Sequence, residues 1–500
     1  MTVPNPSSSR RPMLTALLGS LLLAACAGSV DANLAQAAEP WPPVWQDTPV
    51  QADDGPPAFT PPSATSCRRL PALREVPGGH NPRSVARRGE RLLREEARSD
   101  AKSAAGAVGE AVPMSPPAPA AKMMAPDSSA AFAPSPPWPS EPQPQPGLQR
   151  PAGETVTAGM VDDNADFGEY LAYRQRHAGL PVRERDISER YLLEVTDATG
   201  HPVHDAEVAI QRAGVAQPVM WARTDTAGRV WLHPRAFLPQ GVQGERSLGV
   251  AVRKGGVQGR ALLLRGQAQA VQVRLGQAEA TQRPRLDLVF LVDATGSMGD
   301  EIAKLKNSMH AMAQQIARLP AQPDVCYGLV AYRDRGDAFL TRTQDFTDDL
   351  GAFQQVLAQL QASGGGDTPE ALNEALHEVV HGMGWRRDAA RMVVLVADAP
   401  PHLDYGGPQY DQDMQAALAK GIKLFAVGAS GLDPVGEYIY RQMAQYTAGR
   451  FVFLTYRDAA DPGSGPGTQT QHDVKQYSVQ TLDRLVVKLV GDELAKLKRG

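Results

Sequence analysis

Hydrophobic positions follow different patterns in successive parts of this chain. Residues 26–160 show no persistent apolar period; Ala, Pro and Ser dominate, most densely over 113–146. Such a segment buries too little apolar surface to order itself, so a disordered, semi-stiff tether is expected. At 161–187, Phe167, Tyr170, Leu171 and Tyr173 make one apolar stripe, which predicts a short helical preamble. Over 188–277 short apolar alternations recur: Tyr191–Val195, Glu207–Ile210, Arg229–Leu232, Leu248–Val252 and Val271–Leu275, with turns at Gly200, Gly228 and Gly255. That spacing predicts an antiparallel β-sandwich. From 284 to 500, continuous apolar runs are expected as strands at 286–292, 325–332, 338–344, 392–397, 422–428 and 450–454, with amphipathic helices between them. Ile302, Leu305, Met309, Met312 and Ile316 share one helical face, and Leu482, Leu485, Val486, Leu489 and Leu494 another. Strands apolar on both faces, interleaved with helices, imply an α/β fold with a doubly wound, mostly parallel sheet. Ligands of such sheets bind beyond the carboxyl ends of the strands.

Composition narrows this picture. A length of 500 residues suggests two to four units. The formal net charge is −4 and the folded part has no long basic run, so nucleic acid is not an expected partner. The 3 cysteines cannot build a disulfide framework; Cys326 lies in an apolar run, Cys67 lies in the tether, and pairing between them is not legible.

Arg10 and Arg11 precede an apolar stretch, Met13–Ala25, too short to span a bilayer and laid out as a secretory signal over residues 1–25. It ends Leu23, Ala24, Ala25, Cys26, which resembles the bacterial lipobox. The resemblance implies export, cleavage before Cys26, acylation of its sulfur and a membrane anchor. Ala27 after the cysteine implies sorting to an outer membrane where the cell has one.

The candidate chemistry lies at the strand ends. The run 286–292 ends in Asp293, Thr295 and Ser297, and the run 392–397 ends in Asp398. Between them Gly364, Gly365 and Gly366 lead through Asp367 to Thr368. Carboxylate and hydroxyl oxygens suit a hard divalent cation. Asp-x-Thr-x-Ser, a loop threonine and a strand-end aspartate, in that order, resemble the metal-ion-dependent adhesion site of von Willebrand factor A domains. The resemblance covers roughly 284–490. It implies a non-enzymatic binding domain in which Asp293, Thr295, Ser297, Thr368 and Asp398 hold Mg²⁺ (or Mn²⁺) and a partner protein supplies a carboxylate. Asp367 departs from the commonest pattern of that family. Thr196–Val203 with Ala206–Val208 and Thr224–Gly228 resembles carboxypeptidase regulatory-like and immunoglobulin-like modules, implying a spacer or accessory module.

Other motifs compete. His377, Glu378 and His381 match the His-Glu-x-x-His signature of zinc peptidases, with Glu378 as base. Arg387 stands where the longer form of that motif needs a third ligand. The helix also places Leu372, Ala375, Leu376, Val379 and Val380 on one face, so His377 and His381 are expected to face water. A zinc peptidase, or a structural envelope scaffold without metal function, is the alternative to adhesion. Arg335, Gly336 and Asp337 read as a solvated turn, and His402 and Asp404 either shape the ligand surface or form a turn.

Overall fold

A computed structural model of the chain describes residues 67, 72–79, 155–276, 284–366 and 368–497. The signal segment, Cys26, most of the tether, the linker residues 277–283 and Asp367 lie outside the described residues. Strands β1 (Leu73–Val76) and β2 (Thr157–Val161) precede helix α1 (Phe167–Arg176). Next come β3 (Tyr191–Thr196), β4 (Glu207–Arg212), β5 (Pro218–Arg223), β6 (Arg229–Leu232), β7 (Ser247–Lys254), β8 (Val257–Leu264) and β9 (Val271–Arg274). The alternating part holds β10 (Arg285–Asp293), α2 (Gly299–Ala317), β11 (Asp324–Tyr332), β12 (Thr341–Thr347), α3 (Leu350–Gln359), α4 (Leu372–His377) and β13 (Ala389–Ala397). It closes with α5 (Tyr410–Lys420), β14 (Ile422–Gly428), α6 (Pro434–Tyr446), β15 (Arg450–Asp458), β16 (Asp461–Pro466), β17 (Gln480–Thr481) and α7 (Leu482–Leu497).

The large sheet runs β1-β12-β11-β10-β13-β14-β15-β2-β17. Its centre, β11-β10-β13-β14-β15, is parallel throughout. Its flanks are antiparallel. The expected α/β class with a mostly parallel sheet is therefore what the chain forms. Alternate residues of β10 enter opposite cores: Val289 and Leu291 join one cluster, and Leu288, Phe290 and Val292 the other. Burial on both faces is why these strands read as unbroken apolar runs. Helices α2 and α7 cover one face through Ile302, Leu305, Leu482 and Leu485. Helices α4, α5 and α6 cover the other through Leu372, Met414 and Tyr438.

The strands of 191–274 form two smaller sheets, β6-β3-β9 and β5-β4-β7-β8. One pair departs from the expected antiparallel pattern: β3 and β9 run parallel. Val208, Ile210, Leu248 and Val250 of these strands share a core cluster with Val393 and Leu424 of the large sheet. The junction is also ionic. Arg391 on β13 donates to Asp205 (Nη1 to Oδ1, 2.8 Å), and Lys423 on β14 reaches Asp225 at 2.8 Å and Glu493 at 2.8 Å.

Two stretches placed in the tether belong to the large sheet. Leu73–Val76 pairs with β12 and closes one edge. Thr157–Val161 pairs with β15. Cys67 forms a disulfide with Cys326 of β11, Cα to Cα 5.9 Å, across 259 residues of sequence. Sequence pattern misses these strands because four or five residues in a Pro-rich context carry no period, and their pairing partners are distant. Among the described residues, no helix is long and apolar enough to cross a membrane.

Candidate functional site

Strand β10 delivers Asp293 to the carboxyl end of the sheet, level with Tyr332 at the end of β11. Its neighbour β13 ends at Ala397, so Asp398 leaves the sheet beside it. Asp293 and Thr295 are fully buried and Asp398 is 8% exposed. The Thr295 backbone N–H donates to Asp293 Oδ1 at 2.9 Å, and the Thr295 hydroxyl donates to the same oxygen at 2.7 Å. Thr295 Oγ1 lies 3.1 Å from Ser297 Oγ. Ser297 in turn lies close enough to Asp398 for its hydroxyl to favour the charged form of that carboxyl. Asp293, Thr295, Ser297 and Asp398 thus form one connected group of oxygens.

The glycine-rich turn lies over this group. Gly296 N–H donates to the Gly364 carbonyl at 3.0 Å, and Ser363 N–H to Ala294 at 3.0 Å. Gly364 and Gly365 have φ of 80° and 68°, in the left-handed region that glycine enters at low cost. A Cβ on Gly365 would sit 3.1 Å from the Thr295 Cβ, so the approach is close. The far side of the turn is tied to the Asp398 loop: Glu370 N–H donates to Pro400 O at 3.0 Å, and His402 N–H to Glu370 O at 3.1 Å. Thr368 lies between these ties in sequence and is exposed.

Electrostatics mark the group as incomplete. Burial raises the Asp293 carboxyl, and neighbouring Asp398 raises it further, to about 7. Burial also raises Asp398, against the Ser297 hydrogen bond. Asp293 Oδ2 and Asp398 Oδ1 are buried without a hydrogen-bond partner. Buried carboxylate oxygens without donors are costly unless a cation neutralises them. The donor set, two carboxylates and neutral hydroxyls, fits a hard divalent ion.

Several neighbours act differently from expectation. Asp337 is not simply solvated: its Oδ2 accepts from Gly365 N–H at 2.8 Å and from Asp334 N–H at 3.2 Å, which holds the glycine-rich turn. Arg335 pairs with Glu374 at 2.9 Å and lies over the Tyr405 ring. Arg335–Asp337 is a turn as expected, with Gly336 exposed, but both flanking side chains are engaged by neighbouring residues. His402 is fully buried, with Nε2 3.3 Å from Asp334 and Nδ1 3.4 Å from Asp404, and it stacks on Tyr405. It supports the loop from below. Glu370, buried at 2% beside Gly365, was not singled out by sequence; a lone glutamate after a proline carries no signal.

The His-Glu-x-x-His segment also differs. Its helix ends in a wider turn over Glu378–Gly382. Glu378 accepts from Arg74 Nη2 at 2.6 Å and Nε at 3.1 Å, so the residue assigned as base is held in an ion pair with β1. His377 and His381 are partly exposed as expected, yet both meet Asp413 of α5.

Residues 287–460 match the family model of the von Willebrand factor type A domain. The chain is 30% identical over 119 residues to alpha-protein kinase vwkA of Dictyostelium discoideum, covering 23% of this chain and 19% of that protein. It is 24% identical over 214 residues to integrin beta-6 of Mus musculus, covering 37% and 26%. It is 38% identical over 93 residues to von Willebrand factor A domain-containing protein 7 of Rattus norvegicus, covering 19% and 10%. The chain therefore spans between 10% and 26% of the length of these curated relatives. Among solved structures, the crystal structure of conserved hypothetical protein BatB from Bacteroides thetaiotaomicron aligns with 43% of this chain and 100% of its own, at 15% identity and a TM-score of 0.30.

Proposed function

Residues 287–460 are a von Willebrand factor A domain, and on that footing we propose that the protein is a non-enzymatic, Mg²⁺-dependent binder of an acidic protein partner. Asp293, Thr295, Ser297, Thr368 and Asp398 hold the ion in this reading, directly or through water. The observation that carries it is the pair of buried carboxylate oxygens without donors, Asp293 Oδ2 and Asp398 Oδ1, in a group otherwise satisfied by hydroxyls. When bound, Mg²⁺ (or Mn²⁺) supplies positive charge at an open position that a partner's carboxylate can fill. The chain's own residues do the rest. Asp293 and Asp398 balance the charge, the hydroxyls leave the ion electrophilic, and the ties of Gly364 and Glu370 fix the rim that the partner meets. The Arg74–Glu378 ion pair favours binding over peptide hydrolysis, because the would-be base is engaged.

The same proposal places the domain at the cell envelope, exported and anchored through acylated Cys26. Loss of acyl-lipid labelling in Cys26→Ser supports the anchor, and unchanged membrane retention of that variant contradicts it. For the binding function, the full chain is used as bait with envelope proteins in Mg²⁺, in chelator, and in chelator followed by excess Mg²⁺. A partner retained in the first and third conditions only, and absent with Asp293→Ala, supports the reading. Retention indifferent to chelator overturns it.

A further inference from the structure

His377 ends α4, and His381 follows in the widened turn Glu378–Gly382. Their rings stack with centroids 4.4 Å apart. Across from them, in the first turn of α5, stands Asp413. His377 Nδ1 lies 3.1 Å and His381 Nε2 3.0 Å from the same oxygen, Asp413 Oδ1. One ligand atom from each residue falls within 4.8 Å of the others. Asp413 is 3% exposed, and its second oxygen, Oδ2, is buried with no hydrogen-bond partner. The imidazoles are 50% and 40% exposed, so the triangle opens to solvent.

The geometry points to a second metal site, in which His377, His381 and Asp413 bind Zn²⁺ or a similar borderline transition metal, separate from the oxygen site at Asp293. Bonds of about 2.0–2.1 Å in a tetrahedral arrangement set ligand atoms about 3.3 Å apart, so the observed spacings need little opening to admit an ion. Two imidazoles and one carboxylate favour such a metal over Mg²⁺, which prefers oxygen donors. The buried, unpartnered Asp413 oxygen gives the site its negative charge. Lys420 Nζ, bonded to Val380 O at 2.6 Å, supplies a nearby positive charge that tempers it. Three protein ligands leave a fourth position for water or a partner's side chain.

This site is not a peptidase centre. Glu378 faces away into its pair with Arg74, which leaves the ion without the base the motif would provide. Its effect is structural. The ion joins the end of α4 to the start of α5, two helices that follow the 363–370 turn and the 398–409 loop respectively. Asn373 of α4 already donates to His402 O at 2.5 Å and accepts from Tyr410 N–H at 2.9 Å across the same junction. A metal there adds a clamp under both loops.

The test uses the tag-free full chain, stripped of metal and held in excess Mg²⁺ so that oxygen sites are filled. Co²⁺ is titrated as a spectroscopic stand-in for Zn²⁺, and Zn²⁺ is then added in competition. We expect one equivalent of Co²⁺ with visible absorption bands of low-symmetry coordination, bleached by Zn²⁺. His377→Ala and His381→Ala should each weaken binding by more than the roughly 10–100-fold that loss of an outer-shell partner costs, because each removes a ligand. Both positions are partly exposed, so the variants keep the fold where the buried Asp413→Asn need not. Asp293→Ala should bind Zn²⁺ as the parent does. Absence of the bands, or Zn²⁺ binding that survives both histidine variants, overturns the site. Zn²⁺ binding lost in Asp293→Ala but kept in His377→Ala also overturns it and assigns the metal to the oxygen group instead.

Discussion

Asp293 ends β10 and Asp398 follows β13, its parallel neighbour, and the charge of Asp398 helps to raise the buried Asp293 carboxyl to about 7. Two carboxylates sharing a buried corner repel each other unless a cation lies between them. Asp293→Asn should therefore melt no lower than the parent in chelator, and higher if the repulsion is fully relieved. Thermal melting in chelator checks this. A marked fall in melting temperature would mean that Asp293 is held by contacts the present geometry does not include.

Asp337 should matter through the turn it holds. Its carboxylate accepts from Gly365 N–H at 2.8 Å, and hydrogen bonds to charged groups are worth about 1.5–3 kcal/mol. Asp337→Ala loosens the turn carrying Thr368 and should weaken Mg²⁺ binding by about tenfold, since about 1.4 kcal/mol is a factor of ten. Isothermal titration calorimetry gives the comparison; an unchanged affinity would remove Thr368 and its turn from the ion's surroundings.

The smaller sheets should unfold together with the large one. Burial raises the Asp205 carboxyl, but Arg391 and Arg223 outweigh it and hold the group well below the usual carboxylate range. Breaking a buried pair by removing one partner costs about 3–5 kcal/mol. Asp205→Ala should lower stability by that amount while keeping a single urea transition by fluorescence and circular dichroism. Two separated transitions in the parent chain would show that the sheets are independent.

His233 gives a pH dependence. It is fully buried, its ring nitrogens have no hydrogen-bond partner, and burial lowers its pKa to about 3. In the unfolded chain the imidazole takes up a proton below about 6.5. The folded chain does not follow until about 3, so this group's contribution to stability is lost as pH falls between those values. At pH ~4.5 the loss is about 2–3 kcal/mol relative to pH ~7.5. His233→Phe should lose correspondingly less stability on acidification, measured by urea unfolding at both pH values. An equal acid loss in parent and variant would show that His233 is already protonated or solvated.

Much of the large sheet could be read from sequence because each core strand is apolar on both faces, and β10 ends in Asp293 while β13 leads directly into Asp398. The same pattern brought out Asp293, Thr295, Ser297 and Asp398 together. What pattern could not carry were relationships set by tertiary packing. Leu73–Val76 and Thr157–Val161 become strands only because β12 and β15 offer unpaired edges. The Cys67–Cys326 pairing depends on that docking. The histidine pair was rightly placed off the apolar face, but no periodicity announces that Asp413, 36 residues after His377, meets it. Asp337 likewise reads as a turn residue until Gly365 is seen beside it.

The most direct measurement is calorimetric titration of the metal-free full chain with Mg²⁺, run beside Asp293→Ala and His377→Ala. One ion should bind the parent and His377→Ala with equal affinity, raise their stability by about 2.7 kcal/mol at a hundredfold excess over Kd, and leave Asp293→Ala unaffected. Heat and stabilisation that persist in Asp293→Ala, or that never appear in the parent, would contradict a magnesium-filled strand-end site.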